Sequence, residues 1–176
     1  MNNQPVYFVW PARVLHWLMA VLILSMLFIG VGMVATVSTA HTALVNLHKP
    51  VGVAILLLAI LRLAVRLRNP PPPLPRDLPP IQRLGALASH WLLYGLMLAL
   101  PIVGWAMLSA GGYPIMLAEN LRLPAIMQAD GAAFATLRLA HRWLAYLLFV
   151  TLLAHIAAAL YHGFIRRDGV LRSMLR

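Results

Sequence analysis

Residues 141–155 read HRWLAYLLFVTLLAH, a mostly apolar run that begins and ends with a histidine. In a helix, the steps from His141 to His155 cover about 21 Å and leave both rings on nearly one face, about 40° apart. Ionisable side chains are costly inside a bilayer, so two histidines in one apolar helix predict a function for both. His48 and His16 lie in two other apolar segments and are available opposite them.

The composition predicts a membrane protein. Of the 176 residues, 62% are hydrophobic and only 10% are charged, whereas a soluble domain carries charge on about a quarter of its residues. The net charge of +10 comes almost wholly from arginines at segment ends and in loops, which is typical of membrane topology and not of nucleic-acid binding. The absence of cysteine excludes disulfides, thiolate-held iron–sulfur clusters, thiolate haem ligation and covalent haem attachment. Histidine is therefore the leading candidate to hold a cofactor.

Four apolar segments are long enough to cross a bilayer, which needs about 20 helical residues. They are residues 14–37, 48–67, 84–109 and 137–165. The first is longer than the apolar core of a signal peptide, so we expect it to be retained. The sequence predicts an all-α fold, an integral membrane four-helix bundle that forms a single domain over residues 1–176.

The distribution of lysine and arginine predicts the orientation of this bundle. Ten of these residues lie on one side: Arg13, Arg62, Arg66, Arg68, Arg76, Arg83, Arg166, Arg167, Arg172 and Arg176. Four lie on the other: Lys49, Arg122, Arg138 and Arg142. Since positive residues are enriched in cytoplasmic loops, we expect both termini to be cytoplasmic.

Prolines and glycines predict the connections. The prolines at 70–73, 75, 79 and 80 favour an extended, stiff strap between helices 2 and 3. Within the long loop at 110–136, the apolar stretch 115–127 is predicted to lie on the outer membrane surface as a short helix, which could cap a haem pocket. Pro50 is expected in the first turn of helix 2, and Pro101 is expected to kink helix 3.

With this orientation the histidines fall into two pairs of equal depth. His48 and His141 lie toward the periplasm, and His16 and His155 toward the cytoplasm. Each pair is predicted to hold one haem, and bis-histidine ligation leaves no open position, which suits electron transfer. The alternative is that some rings only form hydrogen bonds between helices. Four histidines at two matched depths favour the haem interpretation.

The remaining histidines have less certain roles. His90 lies near the level of His16 and could replace it as a ligand, although a role in lining the pocket is favoured. His162 follows His155 by seven residues on the same face, where it could exchange protons with a quinone or simply be solvated. His41 is expected to be exposed in a short loop.

Basic side chains supply further candidate sites. Arg62 follows His48 by the same interval that separates His141 from His155, so it should face the cytoplasmic haem and bind its propionates. Arg66 and Arg13 are similar candidates, and the alternative for all three is a purely topological role. Lys49 and Arg142 each follow a proposed ligand and could bind the other haem's propionates or attract a small anion.

Short stretches along nearly the whole chain carry a family resemblance. They are RVLHW at 13–17, LHKPVG at 47–52, RL at 62–63 and 66–67, ALPIVG at 99–104, HRWLAY at 141–146 and HIAAALYH at 155–162. In this order and spacing they resemble the bacterial cytochrome b561 family of four-helix, inner-membrane dihaem proteins.

The resemblance implies a function and a ligand set. His16 and His155 would hold the cytoplasmic haem b, His48 and His141 the periplasmic one, and His162 would lie at the quinone site. The well-understood members resemble superoxide oxidases, which take electrons from periplasmic superoxide and pass them to ubiquinone. The implied partners are membrane lipid, ubiquinone or a related quinone, and superoxide.

Two other functions remain open. Related dihaem proteins serve as electron-transfer or anchor subunits that link a dehydrogenase or hydrogenase to quinone, although the short tails here favour a stand-alone oxidoreductase. A haem-free bundle, such as a small transporter or assembly protein, would give no reason for the matched histidine depths. No nucleic-acid partner is expected, and a protein partner is left undecided.

Overall fold

The structure is a computed structural model that describes residues 7–75 and 77–175. Arg76 and Arg176, two of the basic residues used to predict the orientation, lie outside these ranges. Four long helices dominate the chain: α1 (Trp10–Ala35), α2 (Thr39–Arg68), α3 (Pro80–Ala110) and α4 (Gly131–Leu160). Helix α4 continues directly into a π-helix (Tyr161–Arg166), and a short helix α5 (Arg172–Leu175) follows.

All four long helices are suited to a membrane. Each is long and apolar enough to cross one, with α4 and the π-helix counted together as Gly131–Arg166. Large apolar side chains such as Phe28, Val34 and Val150 project outward from the bundle. A helix that is apolar on its outer surface as well as its inner one is typical of a membrane span. The predicted all-α membrane bundle is therefore confirmed.

Local capping extends two helices beyond their predicted starts. Ser38 caps α2 by accepting a hydrogen bond from the backbone N–H of Ala40. Helix α2 therefore begins at Thr39 instead of residue 48, and Pro50 lies inside the helix instead of in its first turn. Asp130 caps α4 in the same way, so that helix begins at Gly131 instead of residue 137. His48 and His141 consequently lie more than two turns inside their helices.

The helices pack as two antiparallel pairs. Backbone packing is closest between α1 and α2 and between α3 and α4, and α2 against α3 joins the two pairs. The shared core lies near mid-bundle, where Met19 and Ala59 are fully buried among apolar neighbours from all four helices. This core includes Leu148, seven residues from both His141 and His155. The middle of the bundle is thus closely packed, and the histidines lie on either side of it.

The predicted surface helix at 115–127 was wrong. The segment forms an antiparallel hairpin of β1 (Ile115–Ala118) and β2 (Leu121–Leu123), with two residues between the strands. Pro124 explains the difference, because proline within the segment opposes a continuous helix. Trp105 of α3 donates a hydrogen bond to the Pro124 carbonyl at 2.9 Å, and β1 packs against α2. The hairpin therefore covers the end of the bundle nearer to His48.

The C-terminal segment folds back onto the start of α1. Arg167 and Gly169 adopt positive φ angles of 54° and 85°, which reverse the chain after the π-helix. The indole N–H of Trp17 then donates to the carbonyl of Met174 at 3.1 Å, and the backbone N–H of Phe8 donates to the carbonyl of Ser173 at 3.2 Å. Both ends of the described chain consequently meet at the His16 end of the bundle.

Candidate functional site

Two histidine pairs bridge helices whose backbones are not in close contact. The ring centroids of His48 (α2) and His141 (α4) are 6.2 Å apart with planes at 68°. Those of His16 (α1) and His155 (α4) are 6.3 Å apart with planes at 63°. The structure therefore brings together the two pairs that depth matching predicted, at almost the same spacing. We call them the His48 pair and the His16 pair.

The spacing of both pairs fits a metal held between two imidazoles. Two rings that bind one metal from opposite sides, through bonds of about 2 Å, have centroids about 6 Å apart. No group of three or more His, Cys, Asp or Glu side chains within residues 7–75 and 77–175 is arranged to hold a bare ion. A haem needs only two axial protein ligands because the porphyrin supplies the others. Both pairs consequently fit haem better than they fit a bare metal ion.

The His48 pair is apolar in its surroundings. The Nδ1 atoms of His48 and His141 are buried and have no hydrogen-bond partner, although the His141 ring lies near the Leu100 carbonyl. A buried polar atom without a partner is unusual and points to a function. Neither Nδ1 atom is bonded to a side chain of another helix among the residues that the structure describes. A Cβ at Gly104 of α3 would lie 3.3 Å from Cε1 of His141, so this glycine leaves room for the ring.

Two basic residues directly follow the histidines of the His48 pair in sequence. Lys49 is partly buried and Arg142 is exposed. Neither forms an ion pair with a carboxylate among the residues that the structure describes. Their charges are therefore free to act on an anion that approaches this end of the bundle.

The His16 pair has a third histidine beside it. The His90 ring (α3) is 5.4 Å from that of His155, closer than the His16 ring is. The spacing between His16 and His155 matches that of the His48 pair, whereas the spacing between His90 and His155 is shorter. This comparison favours His16 as the partner of His155 and places His90 against the edge of the pair.

Arginines surround the His16 pair, as the sequence predicted. An NH2 group of Arg62 donates to Nδ1 of His16 at 2.8 Å, and its guanidinium lies 5.6 Å from the Tyr94 ring centroid. The guanidinium of Arg66 lies over Tyr94 and Trp91 at 5.5 and 5.7 Å. Arg13 is partly buried and its Nε has no partner. The rings of Tyr94 and Trp91 contact the two guanidinium groups, an interaction that the sequence analysis did not identify.

The Arg62 contact has a chemical consequence for His16. A guanidinium only donates hydrogen bonds, so Nδ1 of His16 accepts and its proton resides on Nε2. A ring in this form has no free electron pair on Nε2 for a metal. Metal binding through Nε2 therefore requires Arg62 to exchange His16 for another acceptor, and a propionate carboxylate has the right chemistry.

His162 lies in the π-helix and contacts a residue that the sequence analysis missed. Its Nδ1 donates to Oδ2 of Asp168 at 2.6 Å, and Nε of Arg166 donates to the same oxygen at 3.1 Å. Burial raises the pKa of Asp168, but the hydrogen bonds from His162 and the Val170 backbone and the nearby positive charges outweigh it and lower the pKa below its usual value. Only four acidic residues occur in the chain, and this scarcity is the feature that could have identified Asp168.

An open groove lies beside the start of α1. Its volume is about 590 Å³, and its walls combine two tryptophans and an arginine with apolar residues from both chain ends. The lining residues are Trp10, Arg13, Val14, Trp17, Leu18, Met174 and Leu175. His41, by contrast, lies in the first turn of α2 instead of in a loop; it is exposed, as expected, and its Nδ1 donates to the Met33 carbonyl at 2.9 Å.

Comparisons with known proteins identify the family. The model of the prokaryotic cytochrome b561 family matches residues 7–176. The chain is 36% identical over 165 residues to "Cytochrome b561 homolog 2" of Escherichia coli (strain K12), which covers 91% of this chain and 86% of that protein. It is also 36% identical over 130 residues to "Probable superoxide oxidase CybB" of Yersinia pestis, covering 73% of each chain. The chain therefore belongs to the prokaryotic cytochrome b561 family, and the resemblance inferred from its sequence is confirmed.

Membership of this family defines the class of protein. With four helices able to span a membrane, the chain is a multi-pass bacterial membrane protein of the electron-transfer class, and the family implies that it binds haem b. The similarity to a protein named as a probable superoxide oxidase supports an oxidoreductase function.

Proposed function

We propose that this chain is a dihaem superoxide:quinone oxidoreductase of the inner membrane, with His48 and His141 holding one haem b and His16 and His155 the other. The observation that carries the proposal is the pair of equal ring spacings, 6.2 and 6.3 Å, at two depths of one bundle. A haem b held by each pair would supply one-electron redox chemistry at its iron. The ligand intervals on α4 separate the two levels by about 21 Å along the helix.

Superoxide enters at the His48 pair in this proposal. Lys49 and Arg142 carry positive charge beside it, and such a field raises the local concentration of a small anion. Two superoxide anions each give up one electron and become dioxygen. Arg62, Arg66 and Arg13 bind propionates at the other level, a role supported by the position of Arg62 on His16 and by the unpartnered Nε of Arg13.

Quinone is reduced at the His16 end. One ubiquinone, or a related quinone, accepts the two electrons and two protons and leaves as a quinol. His162 lies in the π-helix that continues α4 beyond His155, and it relays protons to the quinone oxygens. The open groove between Trp17 and Met174 has the size and apolar lining that an isoprenoid quinone needs.

The proposed function also requires a defined orientation of the bundle in the membrane. The two chain ends meet at the His16 end, as the bond between Phe8 and Ser173 indicates. We place this end in the cytoplasm because most of the arginines lie there. Quinone protons are then drawn from the cytoplasm, and superoxide is drawn from the periplasm.

The test uses the full chain purified in detergent. We expect two low-spin b haems per chain in the reduced-minus-oxidised spectrum, reduction of the haems by superoxide, and reoxidation by ubiquinone under anaerobic conditions. Replacing Lys49 and Arg142 together with glutamine should slow haem reduction several-fold at low salt and less at high salt. Arg138→Gln, which removes an exposed charge from the same helix, is the matched control. A protein without haem, or haems that superoxide cannot reduce, would overturn the proposal.

A further inference from the structure

Asp168 is a partly buried acid to which the proposed function assigns no role. Its side chain is 10% exposed and that of His162 is 13% exposed, so the 2.6 Å contact between them is largely shielded from water. Oδ1 of Asp168 accepts a hydrogen bond from the backbone N–H of Val170 at 3.2 Å. Oδ2 accepts hydrogen bonds from both His162 and Arg166, so each of the two carboxylate oxygens has a hydrogen-bond partner. A carboxylate held in this way is suited to orienting the ring it contacts.

The backbone conformation after the π-helix brings Asp168 into contact with His162. The widened π-helix carries His162, and the left-handed conformation of Arg167 then turns the chain back on itself. Leu171 packs directly against Gly163, where a Cβ would lie only 2.5 Å from its Cδ2 atom. A π-helix and a non-glycine residue at positive φ are both energetically unfavourable features that often accompany functional sites.

We propose that Asp168 is a positioning residue for proton transfer to quinone: it holds the Nδ1–H of His162 and leaves Nε2 to face the substrate. This inference rests on the proposed function, which assigns His162 to the quinone. In the step itself, the bond between Nε2 and its proton breaks as a new O–H bond forms on the reduced quinone. Nδ1 keeps its own proton throughout and donates it in a hydrogen bond to Asp168. Nε2 of the neutral ring then takes up a proton from the adjoining solvent. This is the orientation role that a carboxylate plays behind a catalytic histidine.

The charges around His162 support this assignment. Asp168 carries the negative charge that contacts the His162 ring, and Arg166 binds the same carboxylate oxygen. Arg166 is itself drawn away by Asp77, which it contacts at 2.6 Å and which is 74% exposed. Tyr161 is the aromatic neighbour of the His162 ring, with centroids 5.8 Å apart. Among the residues that the structure describes, Asp168 is the charged group that forms a hydrogen bond with the His162 ring.

The experiment separates the two halves of the reaction in the haem-loaded protein. Stopped-flow spectroscopy follows haem reduction by superoxide without quinone, and then reoxidation by a short-chain ubiquinone across a range of pH. For Asp168→Asn we expect unchanged haem content and unchanged reduction, with reoxidation about tenfold slower. The pH profile of reoxidation should also change, because the neutral amide removes the negative charge that contacts the ring. Asp77→Asn is the matched control and should behave like the wild type, since exposed ion pairs contribute little.

A double-mutant cycle distinguishes positioning from a purely structural role. If Asp168 acts through His162, Asp168→Asn should have little further effect on reoxidation in a His162→Gln background. A wild-type pH profile and rate for Asp168→Asn would overturn the inference while leaving the proposed function intact. Loss of haem in Asp168→Asn, or an equal effect in the His162→Gln background, would also overturn it. Failure of the wild type to be reoxidised by quinone would instead remove the proposed function, and this inference with it.

Discussion

The His48 pair and the His16 pair share one geometry and differ in their electrostatic surroundings. Their ring spacings differ by only 0.1 Å. Yet both Nδ1 atoms of the His48 pair have no partner, whereas Nδ1 of His16 is bound by Arg62. The equal ring spacings suit both pairs to the same kind of group. The different neighbours of their Nδ1 atoms make the two positions electrostatically inequivalent.

The difference in electrostatic surroundings also predicts the direction of electron transfer. Fixed positive charge favours the reduced state of a nearby redox centre, and Arg62 is bonded directly to a ring of the His16 pair, whereas Lys49 and Arg142 form no such bond with the His48 pair in the described part of the chain. We therefore expect the site at the His16 pair to be the stronger electron acceptor. Electrons then move from the His48 pair toward the His16 pair, in agreement with the proposed reaction.

The largest expected effect comes from removing one ligand from each pair. His48→Ala and His16→Ala should each lose about one haem per chain and keep the other, because the two sites lie on opposite sides of a packed core. Haem-to-protein ratios and low-temperature spectra measure this. His90→Ala should retain both haems, and His41→Ala is the exposed control. Retention of both haems by His16→Ala together with loss of one by His90→Ala would show that His90 is the ligand.

The next effect tests the charge that distinguishes the two pairs. Arg62→Gln should weaken haem retention at the His16 pair by about tenfold or more, since a hydrogen bond to a charged group contributes about 1.5–3 kcal/mol. It should also lower the reduction potential of that haem and leave the other unchanged. Haem loss to an excess of a scavenger protein, together with a redox titration, gives both quantities. Arg68→Gln, at the exposed end of the same helix, is the control, and equal shifts in both haems would contradict the comparison.

A smaller effect should be confined to the His48 pair. Gly104→Ala places a methyl group 3.3 Å from the His141 ring, and overpacking of this kind costs about 1–3 kcal/mol. Gly95→Ala, in the same helix with open space around it, should instead stabilise the helix by about 1 kcal/mol. Thermal unfolding followed by circular dichroism compares the two variants. A Gly104→Ala protein that is as stable as the Gly95→Ala protein would show that α3 does not constrain His141.

The smallest effect is a response to acid at the His16 end. The pKa of Asp168 is lower in the folded chain than its usual value, because the hydrogen bond from His162 and the neighbouring charges outweigh the opposing effect of burial. Its contribution to stability is therefore fully present above the usual carboxyl pKa and is lost as the pH falls through the lower, folded value. After correction for the intrinsic pH dependence of exchange, the hydrogen-exchange protection factors of residues 168–174 should fall over that acidic range in the wild type. In Asp168→Asn we expect exchange that is already faster and that lacks this pH dependence.

The sequence predicted those parts of the fold that repeat a simple physical pattern. Apolar length predicts four spans, and matched depth predicts the pairing of His48 with His141 and of His16 with His155, whose rings lie close together in the structure. Arg62 at the level of His16 follows from the same periodicity. These predictions succeed because they depend on spacing along one helix and on depth in a bilayer.

Features that depend on capping or on chain reversal were harder to predict. The early start of α2 depends on a single bond from Ser38, and the hairpin at 115–123 depends on prolines that oppose a helix. The contact between His162 and Asp168 forms only because Arg167 adopts a left-handed conformation, which a sequence does not reveal for a non-glycine residue. The aromatic contacts of Arg62 and Arg66 lie between helices, where single-helix periodicity carries no information.

The fully buried layer around Met19 and Ala59 has a consequence for energy conversion. This layer contains mostly apolar side chains together with Tyr94, and the hydroxyl of Thr151 in α4 is bonded to the Leu147 carbonyl of its own helix. Electrons can tunnel across such a layer, but protons need polar groups or water to move. We therefore expect electrons to cross this layer without accompanying protons. The membrane voltage therefore changes the free energy of each electron that crosses, by up to about 2.3 kcal/mol per 100 mV. The sign of this change depends on the direction in which the electron moves. In sealed vesicles the turnover rate should respond to an ionophore that collapses this voltage.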